Sequence, residues 1–127
     1  MACRITELVV DSRDPRALAA WWGEVLGYEV LGEEDDGSVE IGPPGQGPHG
    51  PQPTLLFTPV ADPTPGTLRW HVDVDATDRS QDDELRRLLD LGATPADVGQ
   101  TGKESWHVLA DPEGNEFCLL RSRVAAL

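Results

Sequence analysis

The sequence predicts an α+β fold made of two βαβββ modules that form a curved, cup-like mixed sheet. Three observations predict it. The order strand, helix, three strands is written twice along the 127 residues. The two opening strands, ITELVVD and RWHVDVD, align at a spacing of about 64 residues, with Glu7 over His71 and Asp11 over Asp75. Each helix also carries its own start and stop signals. A repeat of this kind reads as two copies of one supersecondary unit related by a pseudo-twofold. Coincidence among valine-rich strands is the alternative, and the repeated order of elements argues against it. The length suits a single domain, residues 1–127. Module one covers about 3–60 and module two about 68–121.

In module one, residues 3–11 (CRITELVVD) form the first strand. Asp14-Pro15 follows, an N-cap residue before a proline suited to the first helical position. Residues 15–26 place Leu18, Trp21, Trp22, Val25 and Leu26 on one helical face, and Gly27 stops the helix. A strand starts at Tyr28–Leu31, turns at Asp36-Gly37 and continues through Val39–Ile41. Residues 42–53 hold four glycines and five prolines, which leaves only a loop. Pro53–Val60 is the last strand of the module, and residues 61–67 connect to the next.

Module two opens with the strand Leu68–Asp75, which should place Trp70 under the following helix. Ser80 with Asp83 resembles a weak capping box. The helix carries Leu85, Leu88 and Leu89; its acids come first and its arginines later, as the helix dipole favours, and Gly92 stops it. Strands follow near Ala93–Asp97 and at Ser105–Ala110. Asp111-Pro112-Glu113-Gly114 is a type I turn into the last strand, Asn115–Arg121.

Ten Lys and Arg against 23 Asp and Glu give a net charge of −13. Such a surface repels nucleic acid and anionic membranes, so neither is an expected partner. No apolar run approaches membrane-spanning length, and the N-terminus lacks a signal-peptide pattern. We read a cytoplasmic protein with reduced thiols. Its two cysteines, Cys3 and Cys118, lie in apolar strand-like runs and read as small buried hydrophobes. His49, in the Gly/Pro loop, reads as solvent-exposed.

Strand side chains alternate between faces. If Val72 and Val74 lie under the helix, His71 and Asp73 point away from it. By the same alternation Glu7, and Glu116 with Cys118, occupy the helix-free face of their strands. On a curved sheet Glu7, His71 and Glu116 would converge. One imidazole and two carboxylates can bind Zn, Mn, Ni, Fe or Co as divalent ions with positions left for water or substrate. Without a metal, Glu7 or Glu116 could serve as a general base beside His71. Each of these residues also has a bland reading, a solvated or paired strand side chain.

The segments DPRALAAWWGEVLGYEV, PTLLFTPV, LRWHVDVD and WHVLADPEGNEFCLL resemble the glyoxalase-like branch of the vicinal oxygen chelate superfamily, which includes bleomycin-resistance proteins and dioxygenases. The resemblance spans nearly the whole chain, and the tail segment is its most specific part. It implies the glyoxalase-like fold of paired modules and a homodimer. It also implies metal ligands from the first and last strand of each module: Glu7, His71 and Glu116, with about Thr54 in the fourth place. His71 and Glu116 match the pattern in kind; Glu7 stands where His or Gln is usual. Trp106, Thr54 and Asp73 are the candidate substrate contacts.

Two functions follow. One is a metal-dependent enzyme acting on a small molecule by lyase, isomerase, transferase or dioxygenase chemistry, with Glu116 or Glu7 moving the proton. The alternative is a metal-free protein of bleomycin-resistance type that sequesters a small antibiotic; the negative surface suits a cationic one.

Overall fold

A computed structural model describes residues 2, 4–63 and 70–127. Cys3, part of the connector, and the start of the 68–75 strand lie outside the described residues. The chain divides into two compact units, Met1–Thr64 and Pro65–Leu127.

In the first unit β1 (Glu7–Ser12) leads into α1 (Pro15–Leu26). The helix starts where the sequence says it must: the Asp14 side chain accepts the Ala17 N–H at 3.2 Å, and Pro15 takes the first turn. It ends at Gly27, which adopts φ 68°, ψ 31°, a left-handed conformation that costs glycine nothing. β2 (Glu29–Glu33) and β3 (Val39–Gly42) form a hairpin around Asp36-Gly37, where Gly37 takes φ 92° and Asp36 Oδ1 accepts the Ser38 N–H. After the Gly/Pro loop, β4 (Thr54–Pro59) pairs in parallel with β1 and antiparallel with β3. The sheet order is β1-β4-β3-β2. Leu18 and Trp22 of α1 are buried, as are Ile41, Leu55 and Phe57 of the sheet. Trp21 meets Trp22 edge to face, with ring centroids 5.2 Å apart.

The second unit repeats this plan. β5 (Val72–Ala76) is followed by α2 (Gln81–Asp90), whose cap Ser80 accepts the Asp83 N–H at 3.1 Å. Gly92 turns the chain at φ 108° into β6 (Thr94–Pro95). β7 (His107–Ala110) and β8 (Glu116–Arg123) flank the 111–114 turn. There Gly114 donates its N–H to the Asp111 carbonyl, and the buried Asp111 carboxylate accepts from Glu113 and Asn115. The sheet order is β5-β8-β7-β6, the same topology as in the first unit. Leu88 of α2, with Phe117 and Leu119 of β8, is fully buried.

One expectation fails. Trp70 does not lie under α2 but is 82% exposed. Regular pairing begins only at Val72, so strand alternation does not govern Trp70. Several strands are also shorter than the composition suggests; β1 begins at Glu7 and β6 has two residues. Cys118 is a free, buried thiol, as its surroundings predict, and His49 is exposed. Among the described residues no helix is long and apolar enough to cross a membrane.

Candidate functional site

The parallel pair β5–β8 positions the site of the second unit. Its register sets Val72 against Phe117, Asp73 against Cys118 and Val74 against Leu119. Val74 and Leu119 share the face buried under α2, so Asp73 and Cys118 share the opposite face. His71 lies immediately before β5, and its side chain reaches that of Asp73.

Here the structure brings three donors together. His71 Nε2 lies 3.1 Å from Asp73 Oδ1. The Cys118 sulfur completes a group in which every ligand atom lies within 4.8 Å of the others. His71 and Asp73 are half-exposed, whereas Cys118 is buried. Burial, then the negative charge and hydrogen bond of Asp73 and the charge of Glu116, push the Cys118 thiol up from its ordinary pKa. Asp75, at the register shift between Val74 and Ala76, has a buried Oδ1 with no hydrogen-bond partner among the described residues.

The first unit carries the equivalent position. Glu7 opens β1 and pairs in register with Thr54, the first residue of β4. Glu7 is exposed, while Thr54 is buried and its hydroxyl donates to Glu40 Oε2 at 2.7 Å. Trp106 is elsewhere in the second unit. With Leu85 and Leu89 of α2, Pro95, Glu104 and His107 it lines a groove of about 250 Å³.

Sequence reasoning placed His71, Asp73 and Glu116 on one face but treated Cys118 only as packing. Its signal was present, since alternation along EFCLL sets Cys118 beside Glu116. Glu40 was not singled out, and Asp75, though aligned with Asp11 in the repeat, was given no role.

The sequence profile of the family described as "Glyoxalase-like domain" matches residues 7–120. The chain belongs to the glyoxalase-like domain family. Solved structures share the fold at low identity. A mutant of the genomically encoded fosfomycin resistance protein FosX from Listeria monocytogenes, complexed with Mn(II) and 1S,2S-dihydroxypropylphosphonic acid, is 12% identical. That match covers 98% of this chain and 93% of that one, with a TM-score of 0.71. The trypanothione-dependent glyoxalase I of Leishmania major is 17% identical over 94% of this chain and 87% of that one, with a TM-score of 0.66. An antibiotic binding protein from a Streptomyces species is 20% identical over 95% and 98%, with a TM-score of 0.64. No functionally curated protein matches the sequence. The vicinal oxygen chelate superfamily thus includes this glyoxalase-like chain, and its two four-stranded mixed sheets are the fold of that superfamily.

The donor chemistry of the face fits a divalent transition metal. An imidazole nitrogen and a carboxylate oxygen 3.1 Å apart stand at roughly the ligand–ligand spacing of a tetrahedral site with metal–ligand bonds of about 2.0–2.2 Å.

Proposed function

We propose that this glyoxalase-like protein acts on a small molecule at the helix-free face of β5 and β8, with a divalent metal as cofactor. The convergence of His71, Asp73 and Cys118 donor atoms carries this reading. His71 would be the anchoring ligand. A carboxylate, Asp73 or Glu116, would join it. The bound metal supplies Lewis acidity to a substrate carbonyl, phosphoryl or vicinal oxygen pair. The chain's own groups do the rest. Asp73 Oδ1, 3.1 Å from His71 Nε2, would share the metal with it. Glu116, at the start of β8, would hold or move a substrate proton. Glu7 occupies the corresponding place in the first unit and is proposed for the same chemistry there, with Thr54 as a substrate contact. Lyase, isomerase and transferase reactions share this requirement. The homodimer and the cytoplasmic location belong to this proposal as well.

The test is elemental analysis of untagged protein purified without chelators, before and after addition of Zn²⁺, Mn²⁺, Ni²⁺, Co²⁺ or Fe²⁺. About one ion per chain, lost in the His71→Ala, Glu116→Ala double variant, is the expected result. A folded wild-type protein that takes up none of these ions would sink the metal reading. One observation supports a second reading. A net charge of −13 suits metal-free sequestration of a cationic antibiotic, and a metal-free protein that binds such a compound stoichiometrically would favour it.

A further inference from the structure

The reading above counts Cys118 in the donor cluster but gives its sulfur no role of its own, yet it is the most buried donor there. It is 9% exposed, beneath two half-exposed partners. Its sulfur is within ligand reach of both His71 and Asp73, and strand register sets it directly against Asp73. A cysteine serving only as packing on this face would gain nothing from carboxylates around it. A cation held here would meet a sulfur, a carboxylate oxygen and an imidazole nitrogen together. The orphaned Oδ1 of Asp75 adds to the unneutralised donors of the same strand.

We propose that Cys118 is a metal ligand, through its thiolate, in the second-unit site, so that the site takes a thiophilic ion of the zinc class in preference to Mn²⁺ or Mg²⁺. This inference rests on the metal reading above and names the ion that site selects. Soft sulfur ligands favour Zn²⁺ and its substitute Co²⁺, while sites made only of oxygen and nitrogen donors admit the harder ions. On binding, the S–H bond breaks, the electron pair stays on sulfur to form the bond to the metal, and the proton leaves to solvent. His71 and Asp73 complete a three-ligand set on the exposed side, which leaves a coordination position for a substrate oxygen.

Cobalt(II) titration followed by absorption spectroscopy tests this, since a thiolate ligand gives a sulfur-to-cobalt charge-transfer band in the near ultraviolet and an imidazole–carboxylate set does not. The wild-type protein and Cys3→Ser should both develop the band at about one Co²⁺ per chain. Cys118→Ser should lack it and bind Zn²⁺ at least about tenfold more weakly. Zn²⁺ should displace the cobalt, and Mn²⁺ should not. Circular dichroism establishes that Cys118→Ser is folded; if it is not, the wild-type and Cys3→Ser spectra decide alone. Cobalt bound without the band, or a band lost in Cys3→Ser instead, overturns thiolate ligation by Cys118 and leaves the metal reading standing. Failure to bind Co²⁺ or Zn²⁺ overturns thiolate ligation, and failure to bind Mn²⁺, Ni²⁺ and Fe²⁺ as well overturns both.

Discussion

His71 Nε2 and Asp73 Oδ1 lie 3.1 Å apart with only Val72 between them in the chain. The two side chains meet although His71 precedes the first paired residue of β5. They are 53% and 49% exposed, and an exposed pair of this kind adds little to stability. What the pair would provide, on the proposed reading, is a nitrogen and an oxygen at one metal position. Asp73→Asn should therefore leave folding stability within about 0.5 kcal/mol of wild type while weakening metal binding about 10- to 100-fold. Thermal denaturation and metal titration on the same preparation check both halves. Unchanged affinity would remove Asp73 from the site.

The local signals in the sequence were sufficient for the order of elements. Asp14-Pro15, Gly27, Asp36-Gly37 and Asp111–Gly114 each act within a few residues, and each sits where the backbone needs it. Alternation then sorted His71, Asp73 and Glu116 to one face. The pairing of β5 with β8 could not be read this way. It joins segments some 45 residues apart, and only the register Asp73 to Cys118 turns a buried cysteine into a neighbour of His71. Trp70 shows the opposite failure. Alternation was extended past the point where pairing stops, and the side chain is exposed.

Gly27 should be costly to replace for a purely backbone reason. Its φ is +68°, and a Cβ built there meets nothing within 4 Å. No clash contributes, so Gly27→Ala should cost about 1–2 kcal/mol through the left-handed conformation alone. Gly27→Asn should cost less, because asparagine tolerates that region better. Urea denaturation of the two variants orders them; an alanine variant as stable as wild type would mean that α1 does not end in this conformation.

Glu84 in α2 should matter more than a surface helix acid usually does. Its residue is 8% exposed, Arg87 Nε donates to both of its oxygens at 3.1 and 3.0 Å, and Arg79 Nε approaches Oε2 at 3.4 Å. Removing it takes both acceptor oxygens from Arg87 and one contact from Arg79, which keeps its pair with Asp78. Glu84→Ala should destabilise by about 1–3 kcal/mol. A double-mutant cycle with Arg87→Ala should recover part of that loss, because the pair then disappears together. Additive losses in the cycle would show that the contact carries no coupling.

Glu104 should keep its loop closed well into acid. Its Oε1 accepts the Thr101 N–H at 2.8 Å and the Thr101 hydroxyl at 2.9 Å, and its Oε2 accepts the Gly102 N–H at 2.9 Å. These donors, the Thr101 backbone foremost, favour the carboxylate and lower its pKa from 4.5 to about 2. The sign follows from a depressed folded-state value. The stabilisation is fully present above 4.5 and is lost as the pH falls through about 2. Amide resonances of Thr101 and Gly102 should hold steady from neutral pH through 4.5 and move only towards about 2. The indole of Trp106, in the groove that Glu104 also lines, should follow the same midpoint. In Glu104→Gln this titration should vanish from all three probes. A wild-type midpoint near 4.5 would mean that the loop does not hold the carboxylate in solution.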